Sequence, residues 1–360
     1  AGVKCYSITI NGTVFANLTG MKNLLITIQF CVFAISSFCQ AIDSAQFYYT
    51  KGLQETNDKL YAIATRHFDK AIKFDSSFVE AYVANGRANI EMSRIYKASE
   101  NFTKAYQLAP KNNKVIQELS TLYFNNHQFQ KAIELLQKCN NCNNSDRILG
   151  ISNYNLEDYA KAEKYLKLAL AENDKDAEVA YTLGKTYLEL ENEKEAIPLY
   201  QQAIALKPSN NQWMYELGLI YYSQNDFKSA LKYFDLAADS GYNKSNDFFE
   251  NYGFAQLYNG DTENGIKTLN IILERKPNNK ELLNNMAHAM YDTKSYKEAL
   301  EYFKKLLDIN PKDAPSLYMA GLTLQRIGEN EKGKKICDIA IAMDPSLNSY
   351  RQKREMPRGL

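Results

Sequence analysis

The chain has 360 residues, with 43 Lys plus Arg against 42 Asp plus Glu and a formal net charge of +1. A balance this even leaves no field to draw the whole protein onto nucleic acid or an anionic surface, so no nucleic-acid partner is expected. Tyrosine is abundant, at 26 residues against a single tryptophan, Trp213.

Residues 1–20 carry neither helical nor strand periodicity, and the first residue is Ala rather than Met. They read as a non-native upstream segment, with the start at Met21. From there Lys22 supplies a charged end, 24–38 an apolar core and Ala41 a small residue suited to cleavage, so 21–41 is expected to be a secretory signal. The protein would then be exported, to a periplasmic or other extracytoplasmic location. The apolar run falls short of the ~18 residues expected of a spanning helix, and a retained membrane anchor over 24–38 is the alternative. Phe precedes both Cys31 and Cys39, which argues against a lipoprotein signal.

From about residue 45 to 347 the sequence repeats. In the unit beginning at Ala177, Leu183, Gly184 and Tyr187 share one face of a first helix, while Ala196, Tyr200 and Ala203 recur every three or four residues along a second and Pro208 closes the unit. Small residues recur in register with Gly184 at Gly52, Gly86, Ser120, Gly150, Gly218, Gly253, Ala287 and Gly321. Ala64, Ala98, Ala132, Ala162, Ala230, Gly265, Ala299 and Gly333 stand in register with Ala196. Units start near 45, 79, 113, 143, 177, 211, 246, 280 and 314, a spacing of 34 residues except that the third is four short and Ser245 is one extra. A pair of short helices cannot bury its own apolar face, so each unit needs its neighbours.

This pattern resembles the tetratricopeptide repeat (TPR), in which a small residue lets two helices approach and an aromatic fills the space beside it. The resemblance implies an all-α, right-handed superhelical solenoid of about nine helix-turn-helix repeats. Between the helices, Asp158, Asn192, Asp226, Asp261 and Ser295 recur where a short side chain would cap the second helix. The tail, 348–360, is basic and short for a capping helix, so the end of the array is expected either to be covered by something else or to fray.

Catalytic signatures are missing. His67, His127 and His288 fall at three different repeat positions, and there is no phosphate-binding glycine loop, G-x-S-x-G elbow or H-E-x-x-H helix. No enzymatic role, cofactor or metal is expected. Cys139 and Cys142 form a C-x-x-C pair at the end of the short third unit. A redox motif would want a thioredoxin setting and zinc would want four ligands; a buried small hydrophobe at Cys139 is a further reading, but the exported setting favours a local disulfide.

Among TPR sub-families, the chaperone-tail clamp would place Lys and Asn four apart on a first helix, where this chain has Tyr49 with Leu53 and Val83 with Arg87. Sugar-transferase arrays carry an inner-surface Asn in nearly every repeat, whereas only Asn251 and Asn285 hold that position here. Both are set aside. In TPR superhelices the first helix faces the concave side, and here it carries an aromatic-rich stripe. Tyr181, Lys185, Tyr215, Leu219, Tyr222, Glu250, Phe254, His288, Tyr291 and Tyr318 are therefore expected to line a groove for a protein or peptide partner, with tyrosines as anchors. A structural adaptor of an envelope assembly, held by its outer face, is the alternative; an accessory subunit binding glycan or lipid is a lesser one. Nothing in the sequence calls for a homo-oligomer.

Overall fold

The computed structural model describes residues 43–353 apart from Asn141. The expected upstream segment, signal segment and possible anchor, and tail residues 354–360, lie outside the described residues. Within them, no helix is long and apolar enough to cross a membrane. The chain divides into two units, one ending at Asn173 and the other beginning at Asp174.

The first unit holds α1 (43–57), α2 (Tyr61–Phe74), α3 (Val79–Glu91), α4 (Ile95–Leu108), α5 (Asn113–Asn125), α6 (Phe129–Leu136), α7 (Ser145–Asn155) and α8 (Tyr159–Glu172). The second holds α9 (Ala177–Glu189), α10 (Glu193–Leu206), α11 (Asn211–Ser223), α12 (Phe227–Asp239), α13 (Asn246–Tyr258), α14 (Thr262–Arg275), α15 (Lys280–Asp292), α16 (Tyr296–Ile309), α17 (Ala314–Ile327) and α18 (Asn330–Met343). These helices pair in sequence as antiparallel hairpins, four in the first unit and five in the second, and no strand occurs among the described residues.

The register of small and large residues builds each hairpin. A Cβ added at Gly86 would lie 2.5 Å from the Phe102 ring, one at Gly184 2.9 Å from the Tyr200 ring and one at Gly218 2.5 Å from the Phe234 ring. The small residue on the first helix is thus the socket for the large residue on the second. Phe68, Phe102, Phe234 and Phe303 are fully buried in such sockets.

The turns are more regular than the sequence suggested. Lys59, Ser93, His127, Glu157, Glu191, Asn225, Gly260, Lys294 and Gly328 all have positive φ, and each stands at the turn between the two helices of its hairpin. That conformation reverses the chain within a few residues, and non-glycine residues occupy it at a cost. At the position after it, the side chains of Asp158, Asp226 and Asp261 accept backbone N–H bonds from Lys161, Ser229 and Asn264. Asn192 and Ser295 make no such side-chain bond, a correction to the expectation that all five cap. The first helices have caps of their own, from Asn112, Asp176, Asn210, Ser245, Asn279 and Asp313.

In the short third hairpin α6 has 8 residues where α4 and α8 have 14. Cys139 and Cys142 are joined by a disulfide across a Cα–Cα distance of 6.0 Å, and Cys142 is buried against the core of this unit. Peptide mapping of native protein without reductant is expected to recover the two cysteines as one linked fragment. Free alkylation of both thiols would rule the linkage out.

At the other end, a 3-10 turn (Pro345–Leu347) and a short α19 (Asn348–Lys353) follow α18. Leu347 is fully buried and Tyr350 packs beside it on the α17–α18 core. The start of the tail therefore covers the last hairpin itself.

Candidate functional site

The ten residues expected to line one groove separate into distinct environments. Tyr181 stacks on Trp213 with ring centroids 4.6 Å apart, donates its hydroxyl to Glu216 at 2.8 Å, and has the Lys185 ammonium 5.6 Å over its ring. Leu219 is half-buried against the core around Phe234. Tyr215, Tyr291 and Tyr318 are core residues, only 6%, 6% and 2% exposed. Tyr215 stacks on Tyr242 at 4.4 Å and accepts a hydrogen bond from Asn251 at 2.8 Å. Tyr291 accepts one from Arg326 at 3.2 Å. These three rings do not stand exposed as the anchors expected of them: Tyr215 and Tyr291 pack toward the following hairpin, and Tyr318 packs on the α17–α18 core with Leu347.

The other four, Tyr222, Glu250, Phe254 and His288, come together. With Asn251, Tyr258, Asn284, Asn285 and Asp292 they line a recess of about 430 Å³. Tyr222 comes from α11, residues 250–258 from α13 and residues 284–292 from α15, so the walls are the first helices of three successive hairpins.

The reason for the opening lies at one helical position. The fifth residue of α9, α11 and α17 is Tyr181, Tyr215 and Tyr318, but the fifth residue of α13 and α15 is Glu250 and Asn284. Tyr181 and Tyr215 pack toward the next hairpin; where two successive hairpins lack the ring, a polar hollow remains. Behind the hollow the core is continuous: Phe254, Leu257, Leu283, Met286 and Tyr291 belong to one buried cluster, against which Tyr222 also packs. Phe227 reinforces the aromatic side, 5.5 Å from Tyr222 and 5.1 Å from Tyr258.

Electrostatically the recess is acidic. Burial, with Glu281 and Asp247 nearby, holds the Glu250 carboxyl above its ordinary range. The Tyr222 phenol is pushed up to about 12 by burial and by Tyr258 and Glu250, which keeps it a neutral hydroxyl at physiological pH. His288 stands edge-on to the buried Phe303 ring at 5.5 Å. Sequence reasoning missed Tyr258 and Asp292, which lie one turn beyond Phe254 and His288 on the same helices.

The first unit has a recess of its own, of about 320 Å³, also walled by first helices: Tyr49 and Leu53 from α1, Val83 and Arg87 from α3, and Lys114 from α5. Arg87 there forms an ion pair with Glu118.

A tetratricopeptide repeat family model matches residues 181–243, and a second one matches residues 280–313, with the hairpin geometry on either side in the same register. The chain carries tetratricopeptide repeats. It is 22% identical over 320 residues to "Protein CTR9 homolog" of Arabidopsis thaliana, a match covering 76% of this chain and 29% of that protein. A "DnaJ homolog subfamily C member 7 homolog" of Dictyostelium discoideum is 22% identical over 299 residues, covering 77% of this chain and 51% of that protein. The TPR chain thus spans only about a third to a half of the length of these curated relatives. Among solved structures, "PilW, widely conserved type IV pilus biogenesis factor" is similar, with 17% identity, a TM-score of 0.46, and coverage of 56% of this chain and 95% of that one.

Proposed function

We propose that this TPR chain is a non-catalytic scaffold that binds a segment of a partner protein along its first helices, with the recess on α11, α13 and α15 as the principal contact. The observation that carries this reading is the hollow left by Glu250 and Asn284 at a position where the flanking hairpins are closed by tyrosine. Its polar and aromatic walls sit on a rigid floor, the composition favoured where a protein surface meets a partner while still half wet. In this proposal residues 21–41 export the protein, so the partner is extracytoplasmic.

The test is to close the recess by the chain's own rule. Asn284→Tyr places at that position the residue its neighbours carry. A photocrosslinking side chain at the exposed Asn285 is expected to capture a partner segment from the native setting, and Asn284→Tyr is expected to abolish that capture without lowering the melting temperature. Equal capture by the closed variant would refute the recess as the contact.

A further inference from the structure

Two features of the recess lack the counterpart they have elsewhere in the protein. The first concerns rings. Lys185 covers Tyr181, Lys232 covers Tyr233 and Lys305 covers Tyr302, the last with its ammonium 4.2 Å from the ring centroid. No lysine or arginine among the described residues lies over Tyr222 or Phe254. The second concerns carboxylates. Glu250 and Asp292 line the hollow without an ion-pair partner among the described residues, and the lining contains no lysine or arginine. Asp247 and Glu281, one turn before Glu250 and Asn284, add negative charge near its rim.

A hollow that carries the half-buried Tyr222 ring and carboxylates without an ion-pair partner is complementary to one chemical group: a cation on a flexible, partly apolar stem. Lysine and arginine side chains have that form, their methylenes lying along the rings while the charged head meets the acids and the Asn284 and Asn285 carboxamide oxygens. An acidic segment would meet like charge, and a purely apolar one would strip water from Glu250 and Asp292 with nothing in return.

We propose that the recess on α11, α13 and α15 is a reader of basic residues, admitting a lysine or arginine side chain of the partner segment against the Tyr222 ring and the carboxylates of Glu250 and Asp292. This inference rests on the scaffold reading above, and it names the chemistry of the partner.

The experiment pans a phage-displayed library of random peptides on the full-length protein after depletion on Asn284→Tyr, so that only binders needing the open recess survive. Recovered sequences are expected to share a lysine or arginine at one recurrent position. Synthetic versions with that residue changed to Gln should bind roughly tenfold or more weakly, as a charge-assisted contact requires. Glu250→Gln with Asp292→Asn should produce a similar loss for the basic peptide and little further loss for the Gln peptide, the coupling that direct contact demands. Melting curves of the variants establish that they are folded. Recess-dependent peptides with no recurrent cation, or a cation whose contribution survives neutralisation of both carboxylates, would overturn the basic reader while leaving the scaffold reading intact. If no peptide depends on the open recess, both readings fall.

Discussion

Phe234→Ala should lower the unfolding free energy by about 3–5 kcal/mol, as expected when a fully buried aromatic is deleted and its space cannot collapse. The ring is 0% exposed, and the Gly218 socket brings the α11 backbone so close that an added Cβ would lie 2.5 Å from Cδ1. Tyr215, Phe248 and Tyr252 surround it with ring centroids at 5.4, 6.2 and 6.3 Å. Tyr215 is fixed to α11, and Phe248 and Tyr252 to α13, so none can slide into the vacated space without moving its helix. Urea denaturation of the full chain followed by circular dichroism measures the loss. Because repeats couple only to their neighbours, hydrogen exchange should show the weakening concentrated in α11–α13. A loss under about 1 kcal/mol would mean the socket is not the unit of stability claimed for it.

A second large effect is expected at the opposite extreme of side-chain size. At Gly333 a Cβ would lie 2.4 Å from the Gly321 carbonyl oxygen, and at Gly321 one would lie 2.8 Å from the Gly333 oxygen. These two helices meet backbone to backbone. The cause is Cys337, which stands where other second helices carry Phe, Tyr or Leu; with so small a filler, α17 and α18 close until main chain touches main chain. Gly333→Val should therefore cost about 3 kcal/mol, the upper part of the range for overpacking, although valine is intrinsically the better helix former. Gly333→Ala separates the two contributions. Alanine would add roughly 1 kcal/mol of helix propensity, so destabilisation by alanine as well would show that the clash decides the sign. A stabilised alanine variant, read by thermal melting, would contradict the close crossing.

How much of this was legible in the sequence depends on which residues carry the information. The hairpins were, because Gly86, Gly184 and Gly218 have to be small and Phe102, Tyr200 and Phe234 have to be large, a constraint that recurs once per repeat. The left-handed turns were not. Lys59, Glu157 and Glu191 carry no glycine-like signature, and the surrounding fold imposes their conformation. At the candidate site, periodicity named Tyr222, Glu250, Phe254 and His288, which line one recess. It also grouped Tyr215 and Tyr318 with them, since spacing along one helix says which face a residue occupies and nothing about the neighbour waiting there. Tyr242 and Phe248 take the face of Tyr215. The informative sequence signal was an exception to the repeat, the Glu and Asn at 250 and 284, rather than the repeat itself.

Part of the recess wall belongs to the core, and this shapes how binding would be driven. Phe254 is 7% exposed, and Leu257 and Met286 behind it are fully buried, so its ring has no rotameric freedom left to lose. The floor of the recess is thus ordered before contact, and much of the entropy of ordering falls on the incoming segment. A flexible partner would then associate with a favourable enthalpy opposed by its own loss of freedom. Stiffening the partner, by proline or by cyclisation, would tighten the complex mainly through slower dissociation, with no new contact made.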